Sequence, residues 1–158
     1  MVPYELIYSN AANVSGKDLI VIHAGQYRSF FIAEIETWGD GTSSAYSEFG
    51  IFVPSALGST PPTAVAPAPP DARLPAFSGV YYPGTWTSQA TIPSVPVKSI
   101  GINGNGQHNL WRPANPLSTI SVPAAGGGSA TAAASLCIRP TVGAALFNTT
   151  TIIRIIEV

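Results

Sequence analysis

The sequence predicts an all-β protein: an antiparallel β-sandwich, jelly-roll-like, with a long proline-rich arm or loop. Short runs of β-branched and aromatic residues alternate with Gly, Pro, Asn and Ser, which is typical of strands and turns. No stretch has the apolar period of a helix, and the alanines at 130–134 follow a glycine run. The length of 158 residues and a hydrophobic content of 46% fit one domain, residues 1–158, with its own core.

The first half contains four predicted strands, each bounded by turn-forming residues. They cover residues 4–8, 19–23, 30–37 and 47–53. In the third strand, the period of two places Ala33 and Ile35 on one face and Glu34 and Glu36 on the other. We therefore expect the two glutamates to lie on an exposed face of a sheet.

Residues 54–79 are a proline-rich and alanine-rich segment inserted between two groups of strands. Proline cannot donate a hydrogen bond to a sheet, so this segment is not predicted to be a central strand. Two interpretations remain open, an extended arm that reaches a neighbouring subunit or a loop that covers its own domain. The candidate contact residues of the arm are Pro61, Pro62, Pro67, Pro69 and Pro70.

The second half returns to strand patterns. The predicted strands cover residues 79–82, 85–92, 95–102, 119–122, 135–139 and 151–158. Asn103-Gly104 and Asn105-Gly106 are typical of tight hairpin turns, because glycine and asparagine tolerate positive φ angles. The last strand is an apolar run interrupted by Arg154 and Glu157.

Charged residues are unusually scarce. They make up 9% of the chain, against about 25% in an ordinary soluble domain. Residues 49–70, 74–97 and 113–138 contain none. Neutral side chains cost little to desolvate, so we expect the partner surfaces mainly between Phe49 and Ile138. The net charge of −1 excludes a basic footprint for nucleic acid, and no apolar run is long enough to span a membrane.

The sequence predicts neither an enzyme nor a cofactor or metal site. His23 and His108 stand far from other ligand-type residues, and Cys137 lies between Leu136 and Ile138, where a small buried residue is expected. No nucleophile motif occurs, and the glycines from Gly101 to Gly106 lack the Lys-Ser/Thr of a phosphate-binding loop. The absence of a basic and apolar leader in MVPYELIYSN predicts a product made in the cytoplasm.

Aromatic residues cluster near predicted turns. Tyr81, Tyr82 and Trp86 flank the Pro83-Gly84 turn, and Trp38 and Trp111 each adjoin turn residues. Exposed rings at such places suit sugar stacking or a protein contact. The alternative is that the rings fill the core at the ends of the sandwich.

Four segments resemble a family of small structural proteins of tailed bacteriophages. These are Tyr4-Glu5-Leu6, the run Asn13-Val14-Ser15-Gly16-Lys17-Asp18-Leu19, Trp111-Arg112-Pro113-Ala114-Asn115-Pro116, and the terminal Ile155-Ile156-Glu157-Val158. The chain departs from the family pattern in its longer Pro/Ala-rich middle, and the acidic stretch after the third strand is reduced to Glu48.

The resemblance implies a virion protein that decorates or cements the capsid. By this resemblance its partner is the major capsid protein, its oligomer is a homotrimer, and its place is the capsid surface. Two alternatives stay open: a receptor-binding or carbohydrate-binding module of a virion fibre that uses Trp38 and the rings near Pro83-Gly84, and a component of the tail or neck.

Overall fold

The computed structural model describes residues 1–12, 14–67, 69–115, 118–127, 130–142 and 147–158. Within these residues, ten strands form two antiparallel sheets that pack face to face. The predicted β-sandwich is therefore confirmed. The strands are β1 (Val2–Ala12), β2 (Ile20–His23), β3 (Phe30–Gly39), β4 (Tyr46–Phe52), β5 (Val80–Pro83), β6 (Lys98–Asn103), β7 (Asn109–Trp111), β8 (Ser121–Val122), β9 (Ser135–Val142) and β10 (Asn148–Glu157).

The connections between the sheets are those of a jelly roll. The first sheet has the order β1-β10-β3-β7, with β8 also paired to β3. The second has the order β5-β2-β9-β4-β6. From β1 to β4 the chain changes sheet at every step, and β9 and β10 return it to the middle of each sheet. Such long-range antiparallel connections are those of the double-sheet jelly roll, as the strand pattern predicts.

Alternation along the strands builds the core between the sheets. In β10 every second residue is buried, with Ile153 and Ile155 fully inside. They meet apolar side chains of the facing sheet, including Ile22, Ile51 and Leu136. Each such side chain contributes about 1.5–3 kcal/mol on burial, so this layer supplies most of the driving force for folding.

A β-bulge in β3 changes the predicted faces. Arg154 of β10 pairs with Glu34, but the next residue, Ile155, pairs with Ile32, so one residue of β3 is extra. The alternation therefore reverses at the bulge, and Ile32 and Ile35 are both buried. The prediction that Ala33 shares a face with Ile35 is wrong, because Ala33 lines an outer groove beside Phe31.

Two predictions in the second half are corrected. Residues 85–92 are not a strand; they form isolated bridges through Ser88 and Thr91 and lie over the second sheet. The Asn-Gly pairs do not close a hairpin, because β6 pairs with β4 whereas β7, which the strand pattern missed, pairs with β3. The connection instead carries the chain from one sheet to the other, and Gly106 supplies the positive φ angle of 85°.

A 3₁₀ turn lies at Ala132–Ala134. Thr131 caps it by accepting a hydrogen bond from the amide of Ala134. Among the described residues no helix is long and apolar enough to cross a membrane.

The described part of the proline-rich segment packs on its own domain. The amide of Val65 donates to the carbonyl of Tyr81 at 2.9 Å, and the Tyr4 hydroxyl donates to the carbonyl of Pro75 at 2.8 Å. Phe77 is buried against Tyr4 and Phe30. Within this chain the segment is thus a covering loop, and its contact with a neighbour stays a prediction.

Candidate partner-binding surfaces

The described residues offer no site for a metal ion. No three of their His, Cys, Asp or Glu side chains lie close enough together to hold a metal ion. Cys137 is fully buried, and burial raises the pKa of its thiol to about 12. The expectation that Cys137 is a small core residue is confirmed, and its thiol is poorly suited to nucleophilic chemistry.

His23 is held as a neutral core residue. The Ser135 hydroxyl donates to the carbonyl of Thr131 at 2.5 Å, so Nδ1–H of His23 donates to Ser135 Oγ at 2.6 Å. Burial lowers the pKa of His23. The ring packs edge-on against Tyr82 and Trp86, with centroid distances of 5.4 and 6.2 Å. These contacts assign His23 to the packing of the second sheet.

The outer face of the second sheet is covered by residues 85–92, which we name the cover segment. Trp86 and Ala90 of this segment pack on Val21 and Cys137 of the sheet and form a second apolar cluster. The indole nitrogen of Trp86 is buried and has no hydrogen-bond partner among the described residues. Because both faces of the strand are covered, all four residues of β2 are buried.

A buried ion pair anchors the cover segment. Arg139 Nε donates to Asp18 Oδ1 at 2.8 Å, and Arg139 also donates to the carbonyl of Ala90 at 2.7 Å. The second carboxylate oxygen of Asp18 accepts the amide of Ala90 at 2.9 Å. The side chain of Asp18 is fully buried and that of Arg139 is 11% exposed. This network satisfies charges and backbone groups that would otherwise be costly under the segment.

No comparable segment among the described residues covers the outer face of the first sheet, and we name it the open face. A ladder of alternating charges crosses it, in which Glu5 of β1 pairs with Arg154 of β10 at 2.9 Å and Arg154 pairs in turn with Glu34 of β3. Arg112, just after β7, closes the ladder on the other side of Glu34. The two guanidinium groups leave the Glu34 side chain only 9% exposed. The face predicted for Glu34 is right, but its predicted exposure is wrong.

Apolar side chains flank the charge ladder on the open face. On one side the register aligns Ile7, Ile152, Glu36 and Leu110. Ile7 and Leu110, at the two ends of this row, are 49% and 54% exposed. At the bulge on the other side, a groove of about 600 Å³ lies beside Phe31 and Ala33. The open face therefore combines paired charges with single exposed apolar side chains, which are ordinary on a protein surface.

The predicted aromatic residues occupy different environments. Tyr81 and Trp86 are 1% and 5% exposed, so they are core side chains of this chain, as the alternative interpretation expects. Tyr82 is half-buried beside Trp86, and Trp111 is half-buried against the main core. Trp38 lies on the open face and stacks on His108, with ring centroids 4.5 Å apart and planes 4° apart.

The predicted proline contacts differ in exposure. Pro61 and Pro70 are exposed, Pro62 and Pro69 are half-buried, and Pro67 is buried. Pro67 lies at the edge of the sandwich near Leu6 and Tyr81. Pro61 and Pro70 are thus the prolines with the most surface left for a partner.

None of the five arginines places an unpaired charge on the protein surface, because each of them pairs with a carboxylate. Besides the ladder and the buried pair, Arg28 pairs with Glu157 at 3.3 Å and Arg73 with Asp71 at 2.6 Å. The carboxylate of Glu157 also accepts a hydrogen bond from the amide of Ser78 at 3.0 Å. The sequence showed these charges but not their partners. The one charge of β1, Glu5, and the charge inside the apolar run of β10, Arg154, were the signal of a ladder.

Comparisons with known proteins add little to this description. No family model and no curated protein matches the chain. Among solved structures, the chain is similar to one from "KBV activated particle at acidic pH", with 14% identity and a TM-score of 0.28. The alignment covers 98% of this chain and 68% of that chain. A likeness of this size shows no shared function, so the function depends on the residues described above.

Proposed function

We propose that this protein is a non-enzymatic structural component of a virus particle. It decorates or cements the capsid surface by binding, as a homotrimer, between subunits of the major capsid protein. The observation that carries the proposal is the neutral surface of the folded chain. All five arginines are neutralised by carboxylates, while Val95 and Val97, in a chain region poor in charge, are 70% and 55% exposed.

The physical reason is that such a surface costs little free energy to desolvate. A neutral surface loses little hydration energy when a partner covers it, and exposed valines gain from burial. A protein that binds only the assembled lattice stabilises that lattice by mass action. The jelly-roll topology supports the proposal only in part, since the same fold serves capsid and lectin domains.

The first experiment measures the solution mass of the purified protein and its cosedimentation with purified capsids and with purified tails. We expect a trimer that sediments with capsids. A monomer that stays in the supernatant contradicts the proposal, and binding to tails alone favours the tail or neck alternative. Deleting residues 56–72 would not test whether the proline-rich segment contacts the capsid. The deletion also removes the hydrogen bond from Val65 to Tyr81, so a loss of binding could come from a change in the fold.

A charge placed on the neutral surface locates the contact. Val95→Glu requires a carboxylate to be desolvated if residues near Val95 meet the capsid, so we expect capsid affinity to fall by about tenfold or more. Tyr27→Glu is the matched control, because Tyr27 is 81% exposed and lies outside residues 49–138. Equal binding by both variants would move the contact away from Val95.

One observation favours the carbohydrate-binding alternative. Trp38 stacks on His108, and His108 Nδ1 lies 3.2 Å from a carboxylate oxygen of Glu36, so a ring and polar groups adjoin on the open face. The burial of Tyr81 and Trp86 removes two of the rings on which that alternative depends. A glycan array with the wild type and Trp38→Ala separates the two functions, because only a sugar-binding module gives a signal that the substitution abolishes.

A further inference from the structure

The first strand, β1, is an edge strand with an unpaired outer side. Its one neighbour in the first sheet is β10. No backbone hydrogen bond between described residues reaches the outer side of residues 2–8. In an edge strand every second residue directs its N–H and C=O away from the sheet, so these groups lack protein partners.

This edge faces a slot. The opposite wall consists of residues 65–67, where Val65 forms a single antiparallel bridge to Tyr81 of β5 through the hydrogen bond from its amide to the Tyr81 carbonyl. Between the walls lies a cavity of about 290 Å³, lined by residues 5–7, residues 65–67 and Tyr81. We name this cavity the edge slot.

A buried polar group without a partner also belongs to the edge slot. Tyr81 is 1% exposed, and its hydroxyl makes no hydrogen bond within the described structure. Native proteins satisfy nearly all buried polar groups, so an unpaired hydroxyl in the lining of a cavity points to a missing partner. A backbone carbonyl entering the slot would provide the acceptor that the hydroxyl lacks.

We propose that the edge slot receives one extended, uncharged segment of a partner protein, which adds to β1 as a further strand. An extended backbone offers alternating N–H and C=O groups at the spacing that the β1 edge requires. The one charged residue of the lining, Glu5, is already paired with Arg154, so the slot favours a neutral segment. The choice of the major capsid protein as this partner rests on the proposed function.

A second folded copy of this chain fits the slot less well. The wall of residues 65–67 stands where another sandwich would have to approach, whereas a single extended segment needs only the width of one strand. The occupant is therefore a strand from a larger assembly.

The test places a lysine on the edge strand and compares it with a matched variant. Ile7 and Leu110 are similarly exposed and stand at opposite ends of one row of the open face. A lysine on an edge strand opposes the addition of another strand. We expect Ile7→Lys to lower capsid affinity by about tenfold or more and Leu110→Lys to lower it by less than about threefold. Hydrogen exchange of the wild type on capsids should show new protection at alternate amides of β1.

The outcomes separate this inference from the proposed function. If the wild type does not bind capsids, both fail. Suppose instead that the wild type binds, that Ile7→Lys binds as well as Leu110→Lys, and that the β1 amides exchange as in the free protein. The inference about the edge slot is then overturned, and the proposed function stands. Tyr81→Phe gives an independent measurement, since it should weaken capsid binding without destabilising the free protein. Unchanged binding by Tyr81→Phe removes the hydroxyl from the inference.

Discussion

The ion pair between Asp18 and Arg139 allows a quantitative test of how the cover segment is held. The carboxylate of Asp18 accepts hydrogen bonds from Arg139 and from the amide of Ala90, and its side chain is fully buried. Asp18→Asn keeps the size of the side chain but removes its charge and replaces one acceptor with a donor. The guanidinium of Arg139 then remains beneath the segment without a counter-charge.

The expected loss is large. Removing one partner of a buried ion pair costs about 3–5 kcal/mol, because the other charge stays desolvated. Since a domain is stable by about 5–15 kcal/mol, this is a substantial share of its free energy of unfolding. For a chain of this length the loss corresponds to a fall in Tm of about 6–20 °C. Glu5→Gln is the control, because Glu5 and Arg154 are 43% and 40% exposed and such pairs contribute about 0.2–1 kcal/mol.

Urea unfolding followed by tryptophan fluorescence measures both variants, and hydrogen exchange at Ala90 reports whether the cover segment opens locally. We expect the amide of Ala90 to lose protection in Asp18→Asn and to keep it in Glu5→Gln. A loss in Asp18→Asn below about 1 kcal/mol, or no larger than that in Glu5→Gln, refutes the reasoning. In that case water reaches the pair and screens it despite its burial.

Three further predictions concern single buried groups. Burial lowers the pKa of His23 below its ordinary 6.5, so the unfolded chain takes up this proton at a higher pH than the folded chain. The free energy of unfolding should therefore decrease as the pH falls through 6.5, by at most about 1.4 kcal/mol per pH unit. Between pH 7 and 5, the urea midpoint of His23→Asn should vary less than that of the wild type. Tyr81→Phe removes a hydroxyl that has no partner among the described residues, so the free energy of unfolding of this variant should equal or exceed that of the wild type. A loss above about 1 kcal/mol would reveal a hydrogen bond. The thiol of Cys137, with its pKa raised to about 12 and no exposed surface, should react with a disulfide reagent only after unfolding, and rapid reaction of the native protein would show that the core opens there.

Candidate surfaces were less predictable from the sequence than the fold. The scarcity of charge predicts partner surfaces mainly between residues 49 and 138, which stays a prediction, and the aromatic residues near Pro83-Gly84 could not be assigned to surface or core. Trp86 is buried because residues 85–92 fold over Cys137, a residue far along the chain. Trp38, in contrast, stays on the open face because Thr37, its neighbour in β3, points inward.

Local rules were enough for the strands and failed where distant residues meet. The period of two located most strands, since side chains of a strand alternate between core and solvent whatever the topology. The bulge at Glu34 was invisible to that rule, because it depends on the register with β10, which lies 120 residues away at Arg154. The Asn-Gly pairs failed as a hairpin signal for a similar reason, since β6 and β7 find their partners in different sheets.

The sequence by itself determined that this chain is all-β, built around one apolar core and poor in charge, because composition and alternation are local properties. Only the tertiary structure decided which charges neutralise each other, which aromatic rings are buried and where an edge strand stays unpaired. Asp18 and Arg139 are 121 residues apart and become partners only when the sheets pack. Residues 5–7 and 65–67 likewise form the edge slot only in the assembled sandwich, because a slot exists only between surfaces that folding has brought together.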